Sequence, residues 1–230
     1  MPSMSTMLPF TSKEFFEVFA AYNRAVWPAV LIAYLLGILT VAFVLKPGAS
    51  RSRVVAVILA AMWGWSGIAY HWLYFSTINP AALLFGAAFI VQSIIFLEAA
   101  WGDRLLLAFR RTPRGFVGLG LIAYATLVYP ILGLVAGHHL TELPMFGVTP
   151  GPVTIFTFGC ILLTTRPVTW RILMIPLFWS LIGGIAALLL GVWQDWMLLV
   201  SGAAALLFLW YLGQRPAATS AISPASSLSP

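Results

Sequence analysis

His71 stands inside a long apolar run, and its position makes it the first candidate for chemistry in this sequence. The run covers residues 64–80, is rich in aromatic side chains and includes Tyr70 and Asn79. An ionisable side chain at membrane depth is costly, so by default it indicates a functional site. The sequence therefore predicts a proton-titrating or ligand-binding histidine. The alternative is a histidine that hydrogen-bonds a neighbouring tyrosine or carbonyl group.

A second polar cluster surrounds Gly151. Pro150, Gly151 and Pro152 are typical of a helix start, where backbone N–H groups and the positive end of the helix dipole favour an anion. Thr154 and Thr157 follow on one face of the predicted helix. Threonines in a helix also bond their own i−4 carbonyl groups, and that interpretation stays open.

The loop at residues 137–142 reads GHHLTE and supplies the candidate metal ligands. His138 and Glu142 stand four residues apart, with His139 beside them, and would share a metal with His71 if the loop folds inward. The spacing is not diagnostic of any particular metal. Other polar groups predicted on the same side are Asn79, Gln194 and Asp195.

Three classes of membrane protein with catalytic or cofactor chemistry fit the sequence poorly. Residues 64–67 read GWSG, a string found in rhomboid-type proteases, but His71 lies on the same helix, roughly 140° from Ser66. Retinal proteins need a lysine in the last apolar segment, and ceramidase-type zinc hydrolases need paired histidines there. Residues 196–212 contain neither. The sequence therefore predicts no catalytic residues and no cofactor, and favours a protein that is not an enzyme.

The composition places these groups in a membrane. Hydrophobic residues make up 61% of the 230-residue chain and charged residues 8%, with a mean hydropathy of +0.99. A soluble domain carries about 25% charged residues. The net charge of +6 comes from short basic clusters between apolar runs, which is typical of topology determinants and not of a nucleic-acid-binding face. The single cysteine, Cys160, excludes an intrachain disulfide.

Seven apolar segments predict an all-α polytopic membrane protein, a bundle of seven transmembrane helices, because about 20 apolar residues cross a bilayer. Residues 11–14 read TSKE, a capping box, so residues 1–24 are predicted to carry a short amphipathic helix on the membrane surface. Residues 25–213 then form the transmembrane domain, and residues 214–230 a disordered cytoplasmic tail. The apolar segments are residues 26–45, 54–75, 81–101, 115–136, 148–165, 172–190 and 196–212.

The distribution of basic residues predicts the orientation of the bundle. Lys13 and Arg24 lie on one predicted side, against ten basic residues on the other. The positive-inside rule then puts the N-terminus outside and the C-terminus in the cytoplasm. A re-entrant fifth segment would give a much weaker asymmetry. The chain does not begin like a cleavable signal peptide. The ten residues are Lys46, Arg51, Arg53, Arg104, Arg110, Arg111, Arg114, Arg166, Arg171 and Arg215.

Several short stretches are similar to a family of small bacterial multi-pass membrane proteins, domain of unknown function 6064. The resemblance extends from residue 7 to about residue 212. It implies a bacterial inner-membrane protein and supplies no activity. The stretches are residues 7–12 (MLPFTS), 21–23 (AYN), 26–28 (VWP), 70–72 (YHW), 78–81 (INPA) and 152–159 (PVTIFTFG).

These observations together predict a protein that binds or transports a small solute or ion in a pocket facing the extracytoplasmic side, with His71 as a proton-linked ligand. The alternatives are an intramembrane metal-binding protein or metal-dependent enzyme, and an accessory subunit of a membrane complex. Expected partners are the lipid bilayer, the solute or ion, and a second copy or another membrane subunit docked on the glycine face of Gly64 and Gly67. The predicted pocket residues are His71, Tyr70, Asn79, Thr154, Thr157 and Gly151.

Overall fold

The structure, a computed structural model, describes residues 8–102 and 104–213, and this part of the chain is a bundle of α-helices. Two stretches are π-helical: Ser66–Trp72, which continues the helix that begins at Ala49, and Tyr124–Val128. Short 3₁₀ turns lie at Phe75–Thr77, Leu140–Glu142 and Trp193–Asp195. The helices are α1 (Ser12–Leu45), α2 (Ala49–Trp65), α3 (Ala82–Trp101), α4 (Pro113–Ala123), α5 (Tyr129–Val135), α6 (Pro150–Leu162), α7 (Trp170–Leu190) and α8 (Trp196–Gly213).

Among the described residues, five helices are long and apolar enough to cross a membrane, which confirms the expectation of an all-α protein with several such helices. Their outward faces carry large exposed apolar side chains, among them Leu84 (70% exposed) and Val135 (80% exposed). Such a surface is unfavourable in water and suits hydrocarbon. The five are Ser12–Leu45, Ala49–Thr77, Ala82–Trp101, Pro113–Val135 and Trp170–Leu190, and the shorter apolar helices are Pro150–Leu162 and Trp193–Leu209.

The predicted surface helix and the first predicted span form one continuous helix, α1, of 34 residues. The predicted capping box is present: the Thr11 hydroxyl accepts from the Glu14 N–H, and the Glu14 carboxylate accepts from the Thr11 N–H. The aromatic face of the first turns is buried in the bundle, with Phe19 stacked on Tyr70 at 5.0 Å between ring centroids. Tyr22 donates a hydrogen bond to the Val148 carbonyl at 2.6 Å. These contacts hold the N-terminal third of α1 against the other helices.

The glycine face of α2 is covered by α3 of the same chain. A Cβ atom on Gly67 would stand 2.9 Å from the carbonyl oxygen of Gly86, and one on Gly64 would stand 3.1 Å from the Ser93 hydroxyl. The two backbones therefore approach as closely as small residues allow. This face is consequently not free for a partner subunit.

Helix α6 is the centre of the bundle, and each of its 13 residues is buried. A helix of this length spans about 20 Å, less than the roughly 30 Å of a hydrocarbon core. The loop after α3 packs against the end of α6, where the Ala108 N–H bonds to the Leu163 carbonyl at 2.9 Å and the Thr165 N–H to the Leu106 carbonyl at 2.7 Å. Backbone groups of a buried loop must be satisfied within the protein, and these two bonds satisfy groups of both segments.

The basic loops after α1, α3 and α6 meet at one end of the bundle, which we call the basic end. Arg53 donates to the carbonyl oxygen of Ala100, and Arg114 to that of Thr164. Arg171 forms an ion pair with Glu98 at 3.0 Å. Arg215 and the predicted tail lie outside the described residues.

Candidate solute-binding cavity

A cavity of about 140 Å³ lies at the end of the bundle opposite the basic end. Its walls come from the first turns of α1, the π-helical end of α2, the start of α6, the end of α7 and the turn before α8. Three of the six predicted pocket residues line it, Tyr70, Asn79 and Gly151, and Asp195 lines it as well. The other predicted residues, His71, Thr154 and Thr157, do not.

Aromatic side chains form much of the cavity wall. Tyr70 is the hub, stacked on Phe19 at 5.0 Å and on Phe75 at 5.5 Å between ring centroids. On the α7 side, Trp179 packs edge-on against Phe85 at 5.4 Å. The wall exists because α1 brings its buried aromatic face over the π-helical turn of α2. Its aromatic members besides Tyr70 are Phe10, Phe15, Phe19, Phe75, Phe85 and Trp179.

Asp195 is an acidic residue in the cavity lining, and only 9% of its surface is exposed. Its Oδ1 atom accepts a hydrogen bond of 2.6 Å from the Tyr129 hydroxyl. Within the described residues, no lysine, arginine or histidine lines the cavity. A buried carboxylate without a cationic partner is costly, and the hydrogen bond from Tyr129 offsets part of this cost.

The start of α6 differs from the free anion site that the sequence predicts. Pro150 and Pro152 lack an N–H group, which leaves Gly151 as the donor between them. The carboxyl group of Asp195 lies against Gly151, where an added Cβ atom would stand 2.4 Å from Oδ1. A carboxylate near a helix N-terminus is stabilised by the helix dipole. The chain therefore supplies its own anion at this helix end.

His71 is fully buried behind the cavity wall. Its ring packs edge-on against Phe89 at 4.8 Å and Trp179 at 5.0 Å between centroids, with interplanar angles of 65° and 80°. Neither ring nitrogen hydrogen-bonds to a described residue. Four side chains separate His71 from the cavity, because each contacts the histidine and also lines the cavity. They are those of Tyr70, Phe75, Phe85 and Trp179.

Thr154 and Thr157 bond to i−4 carbonyl groups of their own helix, which is the alternative interpretation given for them in the sequence analysis. The Thr154 hydroxyl donates to the Pro150 carbonyl and the Thr157 hydroxyl to the Val153 carbonyl, both at 2.8 Å. Thr157 also accepts from the indole N–H of Trp63 at 2.9 Å. Both threonines are fully buried, and their role in the structure is to join α6 to itself and to α2.

The predicted metal ligands do not come together. His138 stacks on Phe16 of α1 at 4.1 Å between centroids. The His139 backbone N–H donates to the Glu142 carboxylate at 3.1 Å, which closes the loop on itself. In the described part of the chain, no group of three or more His, Cys, Asp or Glu residues is arranged to hold a metal ion.

The sequence groups Asp195 with Asn79, and the structure places both in the cavity lining, but the predicted pocket residues do not include Asp195. A signal was available, because Asp195 adjoins an apolar segment and the nearest basic residues in the sequence are as distant as Arg171 and Arg215. Trp179 also lines the cavity, but the sequence carries no comparable signal for it. A tryptophan within an apolar helix resembles any lipid-facing aromatic residue until the packing is known.

The described residues form an all-α protein that has five helices long and apolar enough to cross a membrane and an aromatic cavity with a buried carboxyl group. Residues 12–218 match the model of the Family of unknown function (DUF6064), and the chain belongs to that family. This confirms the resemblance seen in the sequence. The chain has no significant match among curated proteins or among solved structures.

Proposed function

We propose that this chain is a bacterial inner-membrane protein with seven spans, and that it binds a small solute in the cavity from the extracytoplasmic side. The basic end would face the cytoplasm, in line with the positive-inside rule. The position of α6 supports a crossing by this short helix, because Pro150 lies at the cavity and the residues just after Leu162 bond to the loop of the basic end. The bilayer is then the main partner of the outer surface.

The observation that carries the proposal is the carboxyl group of Asp195 in a largely apolar cavity. Ligand sites typically combine apolar walls with a few polar groups that fix orientation. A cavity of about 150 Å³ holds a molecule the size of benzene, and this one is of similar volume. The hydroxyl of Tyr70 and the amide of Asn79 add further polar groups on the same lining.

His71 has a different part in this proposal from the one the sequence predicts. Its ring supports the aromatic wall from behind, through Trp179 and Phe85. The solute would contact Tyr70 and Asp195, and His71 would act through the packing of these neighbours.

Filling the cavity tests the proposal. Ala187 lines the cavity and is buried, so Ala187→Phe would place a ring in the space for solute. Ala203 lies on the exposed side of α8, and Ala203→Phe is the matched control. Purified protein would be screened against compounds of about the size of benzene by ligand-observed NMR. We expect binders that are retained by Ala203→Phe and lost with Ala187→Phe, and a panel in which no compound shows this difference would refute the proposal.

A further inference from the structure

We propose that the solute is a small alkylated ammonium cation, held between the carboxylate of Asp195 and the aromatic wall. This inference rests on the proposed function, since it names the chemical class of solute for the same cavity. Charge and wall chemistry support it independently.

Among the described residues, the cavity around Asp195 has no positively charged side chain in its lining. The hydrogen-bond partner of Asp195 is the neutral Tyr129 hydroxyl at 2.6 Å, and the described cavity lining holds an acid but no basic side chain. A buried carboxylate needs a counter-charge or pays for desolvation. A cation in the cavity would supply that counter-charge, whereas an anion would meet the carboxylate unshielded.

The wall chemistry distinguishes among cations. A metal ion such as Ca²⁺ requires six or more oxygen ligands, and the oxygen-bearing side chains among the described lining residues are those of Tyr70, Asn79 and Asp195. The remaining surface is aromatic and aliphatic. Aromatic faces attract organic cations, and aromatic cages are the usual receptors for quaternary ammonium groups. Trp179 and Phe85 contribute such rings to the lining of a space of suitable volume.

The apolar walls also favour a cation whose charged atom is surrounded by apolar groups. Methyl groups on nitrogen spread the positive charge and can lie against rings such as those of Phe19 and Phe75. A bare ammonium ion would lose its hydration and gain few hydrogen bonds in return. The geometry therefore favours an alkylated amine over an inorganic cation of the same charge.

The test compares choline with dimethylbutanol, its uncharged isostere in which carbon replaces nitrogen. Binding of each probe to the purified full-length protein would be measured by isothermal titration calorimetry. We expect choline to bind at least about tenfold more tightly than the alcohol. Asp195→Asn should remove most of this preference, and Glu98→Gln should retain it, because Glu98 pairs with Arg171 at the basic end.

A second variant keeps the test valid if Asp195→Asn does not fold. Trp179→Leu should weaken choline more than the alcohol, because it removes a cation–π partner and keeps an apolar wall. Equal affinities of the two probes for the wild type would overturn the ammonium inference and leave solute binding intact. The inference also fails if neither probe binds to the wild type while other compounds bind to it and do not bind to Ala187→Phe. If no compound at all distinguishes Ala187→Phe from Ala203→Phe, the proposed function fails too.

Discussion

Gly151 sets the distance between the start of α6 and the carboxyl group of Asp195. A Cβ atom at this position would stand 2.4 Å from Oδ1 of Asp195 and 3.3 Å from the Tyr129 hydroxyl. Contacts this short force a side chain or the backbone to move, because buried groups are close-packed. The glycine is thus required by the polar pair beside it.

We therefore expect Gly151→Ala to lower the free energy of unfolding by about 1–3 kcal/mol. Gly120→Ala is the matched control, since Gly120 is exposed on α4 and its added Cβ atom would meet no atom within 4 Å. The control should be neutral or stabilising by roughly 0.5–1 kcal/mol, because alanine favours helix. Denaturant titration of both variants in the same detergent measures the difference. Equal stabilities would show that Asp195 does not lie against α6.

His71 provides a second prediction, since a buried polar group that makes no hydrogen bond gains nothing from its polarity. Replacing such a group by an apolar one of similar shape is close to neutral, whereas removing a bonded group is costly. His71→Leu should change the free energy of unfolding by less than about 1 kcal/mol.

The contrast for His71 is Asn23, whose side-chain amide donates to the carbonyl oxygens of Thr141 and Leu143, both at 2.7 Å. Asn23→Leu should cost about 1–3 kcal/mol, because it leaves buried carbonyl groups unpaired. Thermal unfolding of the two variants side by side gives the comparison. A loss for His71→Leu as large as that for Asn23→Leu would mean that the histidine is bonded after all.

The sequence predicts where the helices lie better than it predicts which helices pack against one another. The capping box at Thr11 and the aromatic positions of α1 are visible in the sequence, and the structure has both. The same aromatic face suits a membrane surface or the rings of α2, because both are apolar with polar margins. Only the packing of Phe19 on Tyr70 decides between them.

The same limit applies to the cavity. The sequence singles out Tyr70, Asn79 and Gly151 because each is an unusual residue in an apolar or turn context, and all three line the cavity. It singles out His71, Thr154 and Thr157 for the same reason, although their side chains are buried in packed regions. A polar residue in an apolar run marks an interior position, and periodicity alone does not tell which interior it faces.

The N-terminal cap of α1 gives the prediction at this scale. Thr11→Ala removes the side-chain acceptor for the Glu14 N–H, which lies at 3.2 Å. Losing a cap of this kind costs about 0.5–2 kcal/mol. We expect faster hydrogen exchange in the first turn of α1, next to the cavity residue Phe15, and unchanged exchange in α3. Thr77→Ala is the control, because Thr77 is exposed and lies in a short turn outside α1. Equal exchange in α1 of Thr11→Ala and wild type would refute the role of the cap.

The side of the membrane on which α6 ends decides between seven spans and a re-entrant segment. The single cysteine, Cys160, is fully buried, so it contributes little background to labelling. Three exposed residues report on the two ends: Thr141 near the cavity, and Ser50 and Thr169 near the basic loops. Each would be replaced by cysteine in turn and treated with a membrane-impermeant maleimide in intact cells and in permeabilised cells.

We expect Thr141→Cys to react in intact cells, and Ser50→Cys and Thr169→Cys to react only after the membrane is permeabilised. Thr169→Cys carries the decision on α6, because it lies beyond the helix that starts at the cavity. If it reacts like Thr141→Cys, then α6 returns to the side on which it began, and the seven-span proposal is wrong. If all three sites react in the opposite sense, the crossings stand but the bundle is inverted, and the cavity faces the cytoplasm. With the expected pattern, the cavity with Asp195 lies on the outer side, where a solute reaches it without crossing the membrane.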